Sequence, residues 1–243
     1  MKKFLTILCC LFPWKMANLC LKLLGHQIAW SAKIGFVFLC VDKLILGPKV
    51  TIGHFNFIYI KNLTIEDEGY IGKLNVIKGP LSCVFKKRGA IGNLNFIKRS
   101  AIGITYGEAR LELGELTKLT TRHYIDVTRD IIFGDFSILA GSGSQMWTHG
   151  YVHGQSGAER IRVDGEIKVG NNVYIGSRCI FNPGVLIGDG VTVGGNSAVT
   201  KNLIEKGMYM SQRLRHVEKD INEVRNRLIK VTDFDTLDDV YEK

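Results

Sequence analysis

Hydrophobic positions recur every six residues from Val163 to Lys201. Written from Val169, the chain reads VGNNVY, IGSRCI, FNPGVL, IGDGVT and VGGNSA, with an aliphatic or aromatic residue first in every hexad and Gly second in four of the five. A helix of 3.6 residues per turn cannot keep the first and fifth positions of successive hexads on one face, whereas short strands with a corner every sixth residue can. The pattern therefore predicts triangular coils of about eighteen residues, each built from three short strands.

A looser form of this repeat runs through the upstream half of the chain. Related segments are IGHFNFI at 52, IGKLNVI at 71, IGNLNFI at 91, LGELTKL at 113, FGDFSIL at 133, VGNNVYI at 169 and IGDGVTV at 187. The steps between them are 19, 20, 22, 20, 36 and 18 residues, so we interpret each step of 18 to 22 as one coil. The step of 36 is one coil plus about eighteen extra residues. It predicts a protruding loop at about 146–166.

Coils of this kind must stack, because a single coil cannot hide its inward aliphatic side chains. Burying each large apolar side chain stabilises the stack by roughly 1.5–3 kcal/mol. The two open ends need covers. A 3–4 residue spacing of Val217, Ile221, Val224 and Leu228 predicts a helix in the C-terminal tail. The predicted organisation is an N-terminal amphipathic helical segment at 1–30, an all-β parallel β-helix at 31–204, and a tail at 205–243.

The N-terminus allows three interpretations. Met1-Lys2-Lys3 followed by an apolar run to Phe12 imitates a secretion signal, but no small-x-small cleavage site follows promptly. The run is too short to cross a bilayer. Residues 14–25 place apolar side chains near helical spacing with lysines elsewhere, which favours an interfacial amphipathic helix. A helix packed on the core or on a partner subunit, and a cleaved signal, remain alternatives.

Composition narrows the possible partners. Hydrophobic residues make up 46% and charged residues 23%, so the chain has enough apolar material for a core. The net charge of +9 is compatible with nucleic acid, anionic lipid or a phosphorylated cofactor, but no nucleic-acid recognition motif accompanies it. None of the six cysteines forms a CxxC or has histidines at metal-ligand spacing. We interpret them as small buried hydrophobic residues in a reducing compartment.

The segment from 146 to 201 resembles the hexapeptide-repeat acyltransferases, in particular the maltose, galactoside and polysaccharide O-acetyltransferase branch. The residues that carry the resemblance are Trp147-Thr148-His149-Gly150 and the run from Ile167 to Lys201. Residues 46–140 match only as repeats, and the two ends do not match. The resemblance implies a left-handed β-helix, usually a homotrimer with active sites between subunits, and acetyl-CoA as donor with no metal.

Acetyl transfer from a thioester to a hydroxyl needs a base, donors for an oxyanion and aligned substrates. His149 is the candidate base, because imidazole is substantially neutral at working pH and still accepts a proton. It sits where the repeat breaks into the predicted loop. In the resembled branch this position holds the catalytic histidine. An ordinary loop histidine is the alternative, and His153 is a weaker candidate base.

Acceptor contacts are predicted one coil before His149 and beside it. His123 and Asp126 lie in TRHYIDVT, near the point where the resembled enzymes place a sugar-binding Asp. The alternative for Asp126 is a corner turn. Trp147 either stacks on a sugar ring or anchors the loop.

Donor contacts are predicted from the resemblance in the last coils. Ser177 matches a position near the CoA thiol or carbonyl, while Gly194, Gly195, Thr200 and Lys201 match the coils that line the pantetheine arm. Arg213 and Arg215 are candidate phosphate ligands, although the chain lacks the Gly-x-Pro-Ala-Lys-like segment usual there. A corner Ser and solvated arginines are the alternatives.

Together with these residues, the resemblance implies acetyl transfer to a sugar hydroxyl of a bacterial surface polysaccharide or its lipid-linked precursor. N-acetylation of an amino sugar is an alternative, as are a non-catalytic β-helix scaffold and a metal-bearing relative of the carbonic anhydrase type. The expected location is cytoplasmic, with peripheral contact at the inner membrane face through residues 1–25. The acceptor sugar, and acetyl against a longer acyl group, stay open.

Overall fold

The structure is a computed structural model and describes residues 2–103, 105–211, 220–232 and 240–242. The helices are α1 (Lys2–Cys9), α2 (Trp14–Leu23) and α3 (Ile221–Asn226). The strands are β1 (Gln27–Ile28), β2 (Lys33–Ile34), β3 (Phe38–Cys40), β4 (Lys43–Leu46), β5 (Thr51–Ile52), β6 (Phe57–Tyr59), β7 (Asn62–Ile65), β8 (Tyr70–Ile71), β9 (Val76–Lys78), β10 (Ser82–Phe85), β11 (Ala90–Ile91), β12 (Phe96–Lys98), β13 (Arg110–Leu113), β14 (Lys118–Thr121), β15 (Tyr124–Asp126), β16 (Ile131–Phe133), β17 (Ile138–Ser142), β18 (Gln145–Trp147), β19 (His149–His153), β20 (Arg160–Asp164), β21 (Ile167–Val169), β22 (Tyr174–Ile175), β23 (Ile180–Phe181), β24 (Leu186–Ile187), β25 (Val191–Val193), β26 (Ala198–Val199), β27 (Gly207–Tyr209), β28 (Ile229–Thr232) and β29 (Val240–Glu242).

Three parallel sheets form the faces of a triangular solenoid. Sheet A has the order β1-β4-β7-β10-β13-β16-β21-β24, sheet B the order β2-β5-β8-β11-β14-β17-β22-β25-β27, and sheet C the order β3-β6-β9-β12-β15-β18-β23-β26. Each strand pairs with the equivalent strand of the next coil, so inward side chains repeat in register along the axis. The predicted fold class is confirmed: the chain is an all-β parallel β-helix, consistent with the left-handed winding that the resemblance implies.

The register corrects one step of the sequence interpretation. Phe85 pairs with Leu113 and Ile91 pairs with Leu119, so the coil between them has a step of 28 residues. The step of 22 from residue 91 to residue 113 does not measure one coil. The motif at 91 leads from sheet B to sheet C, whereas the motif at 113 leads from sheet A to sheet B. The upstream motifs at 52, 71 and 91 start on sheet B, whereas those from 113 onward start on sheet A.

Two insertions leave the solenoid, and both leave it where sheet C runs into sheet A, which we name corner CA. The first insertion is residues 99–109, between β12 and β13, and it escaped the sequence analysis. The second is residues 148–166, predicted as a protruding loop, in which β19 and β20 form an antiparallel hairpin. One short turn at corner CA, between β15 and β16, separates the two insertions along the solenoid.

The other two corners are tight turns. Corner AB joins sheet A to sheet B, and corner BC joins sheet B to sheet C. Twelve non-glycine residues among those described have a left-handed backbone with φ between 53° and 62°. Six of them lie at corner AB (Lys49, Glu68, Arg88, Leu116, Phe136 and Asn172) and six at corner BC (Phe55, Leu74, Leu94, Arg122, Arg178 and Asn196). At each of these twelve turns, a single left-handed residue explains why the chain turns within so few residues.

Inside the triangle lies one continuous aliphatic column, with Phe85, Phe133 and Phe181 as its largest fully buried side chains. Five of the six cysteines are buried, and all are free thiols. The cysteines therefore pack as small hydrophobic side chains.

The N-terminal helices pack on the first coils. Leu21 and Cys10 belong to the buried core cluster, and the Asn18 side-chain amide donates to the Ala32 carbonyl at 2.7 Å. Their other faces are apolar and open to solvent at Leu11 and Leu23. The strand β1, within the segment predicted as helical at 1–30, already belongs to sheet A. None of the helices in the described part of the chain has the length and apolarity to cross a bilayer.

The C-terminal residues form a separate unit from 212 onward. Its described residues contain the short helix α3 and the antiparallel pair β28 and β29. The helix predicted over Val217 to Leu228 is present as α3, while Val217 itself lies outside the described residues; the two strands were not predicted. Residues Gly207–Tyr209, which the analysis placed in the tail, form the last strand of sheet B.

Candidate active site

His149 lies at the base of the hairpin and contacts a carboxylate from the preceding coil. Its Nδ1 is 2.9 Å from Oδ1 of Asp126. The carboxylate side chain is 2% exposed and the imidazole 27% exposed. One side of the ring is therefore held by the protein while the other reaches solvent.

Two threonine hydroxyl groups complete this arrangement. Thr128 Oγ1 lies 3.3 Å from His149 Nδ1, and the Thr128 amide donates to Oδ1 of Asp126 at 3.2 Å. Thr148 Oγ1 lies 2.9 Å from the Asp126 carbonyl oxygen and accepts from the Arg129 amide at 3.0 Å. Asp126 is thus fixed from both sides before it meets the imidazole.

This geometry selects a tautomer of His149. An ionised carboxylate only accepts hydrogen bonds, so the neutral imidazole carries its proton on Nδ1 when it pairs with Asp126. Nε2 then keeps its lone pair and is the nitrogen able to accept a proton from a substrate. A carboxylate that orients a histidine in this way is a recurring device of acyl-transfer sites.

His123, predicted to contact an acceptor, is instead built into the solenoid. A ladder of buried asparagines runs along corner BC: Asn75 donates to Asn56, Asn95 donates to Asn75, and the His123 amide donates to Oδ1 of Asn95 at 2.9 Å. The ring closes the ladder, since its Nδ1 accepts from the Ser144 amide at 3.2 Å and its Nε2 is 3.0 Å from Thr120 Oγ1. Burial lowers the pKa of His123 to about 4. These contacts support a structural role.

Trp147 lies on the same face as His149. Its indole N–H donates to Gln145 Oε1 at 3.0 Å. Its ring centroid is 5.0 Å from that of Tyr124 and 6.2 Å from that of His149, with the imidazole meeting it at 80°. The indole is half-buried, so it both supports the imidazole and offers a surface beside it.

The structure separates the predicted donor residues into two groups. Ser177 and Gly195 lie at corner BC, where Ser177 Oγ accepts from the Ser142 amide at 3.3 Å. Thr200 and Lys201 follow β26 at corner CA, the corner that also carries His149. Within one chain, the strands of sheet C therefore lie between Ser177 and His149.

Thr200 and Lys201 line an open pocket of about 200 Å³ at the C-terminal end of the solenoid. Tyr209 and Ser211 form its other wall. The Lys201 side chain is exposed there, so a cation and several hydroxyl groups face one cavity. Arg213 and Arg215, the predicted phosphate ligands, lie outside the described residues.

Sequence reasoning missed several parts of the site. Thr128 and Thr148 received no role, although the second sits in the motif Trp147-Thr148-His149. Asp126 was expected to contact the sugar, but its burial and its three partners on Oδ1 make it a support for His149. A signal was present, because Asp126 and Trp147 occupy equivalent positions of successive coils. Among the described residues, no group of three or more His, Cys, Asp or Glu side chains is placed to hold a metal ion.

Part of the chain matches known transferases. Over 78 residues it is 37% identical to galactoside O-acetyltransferase of Escherichia coli K12, covering 30% of this chain and 36% of that protein. Over 55 residues it is 34% identical to chloramphenicol acetyltransferase of Morganella morganii, covering 23% of this chain and 26% of that protein. The chain thus spans about a third of the first relative and about a quarter of the second.

Solved structures are also similar. The polysialic acid-specific acetyltransferase NeuO aligns with 83% of this chain and 94% of its own, with a TM-score of 0.42 and 15% identity. The N-acyltransferase AntD from Bacillus cereus, in complex with dTDP and 3-hydroxybutyryl-CoA, aligns with 85% and 92%, with a TM-score of 0.35 and 18% identity. Residues 166–201 match the family described as bacterial transferase hexapeptide (six repeats). The six-residue repeat in the last coils of the solenoid is thus similar to the repeat of the bacterial hexapeptide transferases.

Proposed function

We propose that the chain is an acetyl-CoA-dependent O-acetyltransferase that transfers acetyl directly to a sugar hydroxyl of a bacterial surface polysaccharide or its precursor. The observation that carries the proposal is the 2.9 Å contact between Asp126 and His149, with the imidazole open to solvent on its other side. It provides a general base at the root of a hairpin, just before residues 166–201, which match a family of transferases.

The proton moves through His149 in both directions. Nε2 removes the proton from the sugar hydroxyl as its oxygen bonds to the thioester carbonyl carbon. The carbon–sulfur bond then breaks, and the imidazolium returns the proton to the departing thiolate. Acetyl ester and free CoA result, with no net change in protonation of the protein. A positioned base of this kind typically contributes about 10²–10⁴ in rate.

Asp126 is assigned a positioning role in this scheme. Its carboxylate holds the Nδ1 tautomer and stabilises the imidazolium that forms during transfer. Trp147 is assigned to the acceptor, because a half-buried indole edge-on to the imidazole offers an apolar surface for a sugar ring. His123 is assigned no substrate contact.

The donor substrate is assigned to the end of the solenoid that carries Thr200 and Lys201. Lys201 supplies positive charge for the phosphates of acetyl-CoA, and the pocket of about 200 Å³ accepts part of the pantetheine arm. Ser177 and Gly195 lie at a different corner from His149. A neighbouring copy that presents its corner BC to this corner CA completes the site, so we propose a homotrimer with intersubunit active sites.

The N-terminal helices support a peripheral membrane contact. Leu11, Met16 and Leu23 are exposed apolar side chains, and Lys15 and Lys22 are close to them in sequence. An apolar face flanked by lysines is typical of segments that lie on an anionic leaflet. It favours a lipid-linked acceptor reached from the cytoplasmic side, where acetyl-CoA is supplied.

The direct test is donor turnover by the full chain. Acetyl-CoA is incubated with crude surface polysaccharide, and free thiol and acetylated glycan are measured. Thiol release that depends on polysaccharide, with the acetyl group removed by mild alkali, supports an O-ester. An alkali-stable acetyl group indicates N-acetylation instead. Absence of polysaccharide-dependent thiol release contradicts the proposal and favours a scaffold.

A further inference from the structure

The outer face of sheet C carries a row of aromatic and basic side chains that leads to His149. Register places Tyr59, Lys78 and Lys98 at equivalent positions of successive coils, and the next two coils continue the row with Asp126 and Trp147. Four interstrand steps of about 4.8 Å make this row roughly 19 Å long. The row extends toward the N-terminal coils, away from the Thr200 and Lys201 pocket.

A second row of rings runs beside the first. Phe96 stacks on Tyr124 with centroids 5.2 Å apart, and Tyr124 contacts Trp147 at 5.0 Å. Lys78 Nζ lies 5.4 Å from the Phe96 centroid, and Lys98 Nζ lies 5.2 Å from the Tyr124 centroid. Each ammonium thus rests on a ring while its remaining donors face solvent. We call Phe96, Tyr124, Trp147, Lys78 and Lys98 the ladder face.

The first insertion turns the start of the ladder face into a pocket. Lys78 and Lys98 line an open depression of about 420 Å³ together with Tyr59, Arg99 and Ile102. Arg99 is 3% exposed and donates to the carbonyl oxygens of Pro80, Tyr106 and Gly107. Its Nε has no hydrogen-bond partner in the described part of the chain. A buried guanidinium therefore adds positive charge to the wall.

Nearby carboxylates offset only part of this charge. Glu108 forms an ion pair with Lys61 at 2.8 Å, and Asp126 pairs with His149. Asp130 accepts from the Arg110 amide at 3.0 Å and lies 3.9 Å from that guanidinium. In addition, Arg129 lies over the Tyr106 ring at 5.1 Å, between the pocket and His149. The face from the pocket to His149 keeps a net positive charge.

We propose that the ladder face binds a sugar chain that carries carboxylate groups, and holds it so that one hydroxyl reaches His149. Lysines and the buried guanidinium match the carboxylates, and the half-buried rings match the apolar faces of sugar rings. The row continues to Trp147, which lies beside the proposed general base His149. This continuity distinguishes the row from a general basic surface. The inference rests on the proposed function, because it names the class of acceptor for the same site.

The test separates binding from catalysis. Binding of hexagalacturonate and of neutral maltohexaose to the full chain is measured by calorimetry, at low and high salt. We expect the carboxylated chain to bind at least tenfold more tightly at low salt, and salt to reduce that preference. Lys78→Gln with Lys98→Gln should remove at least tenfold of hexagalacturonate affinity. His149→Ala should leave this affinity unchanged, so failure of the catalytic proposal does not affect the result.

A matched control comes from the two other sheets, with Lys43 on sheet A and Lys118 on sheet B. Lys118 Nζ lies 5.3 Å from the Tyr70 centroid, the same kind of contact on a different face. Lys43→Gln with Lys118→Gln removes the same charge and should leave hexagalacturonate affinity within twofold of the wild type. Equal loss in both double variants, or no preference for the carboxylated chain, overturns the inference. Tighter binding of an oligothymidylate than of hexagalacturonate would also overturn the inference, because it would indicate a single-stranded nucleic acid site.

The donor must also be excluded as the source of the anion. The Lys78→Gln, Lys98→Gln variant should keep the wild-type affinity for CoA, whose phosphates are assigned to Lys201. It should also keep the wild-type molar mass in light scattering. A weakened CoA affinity, or a changed molar mass, would assign the ladder face to the donor or to subunit contact and would overturn the inference.

Discussion

Two histidines at opposite ends of neighbouring C-sheet strands show how a corner decides what a residue does. His123 precedes β15 at corner BC, where Asn95 accepts from its backbone amide, and Thr120 and Ser144 take up both ring nitrogens. His149 follows β18 at corner CA, where one nitrogen meets Asp126 and the ring stays open to solvent. The first corner is closed in every coil, while the second has two insertions. Only the second can present a base to a substrate.

The largest expected effect tests corner CA, where the His149 ring is open to solvent. His149→Ala should lower acetyl transfer by about 10²–10⁴, because the general base is lost. The thermal midpoint should change little, since the ring is partly exposed. Free-thiol release with crude polysaccharide measures the rate. His153→Ala, four residues along the same hairpin, serves as the control and should retain wild-type turnover. Equal turnover of the His149 variant would remove it from the role of base.

The next largest effect tests corner BC, where the His123 ring is buried. The pKa of His123 is lowered from 6.5 to about 4 by burial, so the unfolded chain binds a proton in this interval that the folded chain does not. The free energy of unfolding should therefore fall as the pH drops from 6.5 toward 4, by roughly 3 kcal/mol from this residue. His123→Asn would extend the asparagine ladder and should remove this pH-dependent part of the free energy of unfolding.

Urea unfolding of the wild type and the His123 variant, between neutral pH and about pH 4.5, measures that difference. His153→Asn is the control, because His153 is exposed and should leave the pH dependence of the wild type intact. A parallel loss of stability in all three proteins would show that carboxylates alone cause the acid sensitivity.

A smaller effect is expected for the partner of His149. Asp126→Asn keeps the shape of the side chain but replaces the acceptor that fixes the Nδ1 tautomer. We expect kcat to fall by about 10²-fold, the lower end of the loss expected when the general base itself is removed, with KM nearly unchanged. Steady-state kinetics distinguishes this from a contact with the acceptor, which would raise KM. Thr128→Val is a milder companion and should cost less, because its hydroxyl is 3.3 Å from the imidazole.

The smallest expected effect tests how much space an added side chain has at corner BC and at corner CA. Gly141 has φ of +64°, and an added Cβ would lie 1.7 Å from Ser177 Oγ. Gly141→Ala should lower the free energy of unfolding by about 1–2 kcal/mol, the usual cost of the left-handed region with a side chain. Gly150→Ala is the control, since its Cβ would only touch Pro183 at 3.7 Å. Thermal unfolding should show a lower midpoint for the first variant alone.

The fold was predictable because its signal is repeated many times. Hexads from Val169 to Lys201 place inward side chains at fixed intervals, and each coil repeats the previous one. The insertion at 99–109 was missed for a physical reason. Turns at corners AB and BC use similar short motifs, so IGNLNFI at 91 and LGELTKL at 113 align in sequence although they belong to different corners. Only strand pairing separates them.

The site was predictable only in part. His149 stands out because the repeat breaks at that point. The role of Asp126 depends on its coil lying against the next one, with Thr128 and Thr148 filling the space around the carboxylate. Nothing in TRHYIDVT distinguishes a buried His123 from an exposed one. Its place in the ladder after Asn56, Asn75 and Asn95 becomes evident only when the coils are in register.

The left-handed residues at corners AB and BC have a consequence for how this solenoid can change. A turn made by one such residue has little spare length: where corner BC is one residue longer, before β18, a bulge in β17 takes up the extra residue and the later strands stay paired. Corner CA is under no such constraint and already holds segments of very different length. New substrate specificity can therefore be introduced at one edge of the prism by exchanging whole loops, while the stacked coils beneath stay as they are.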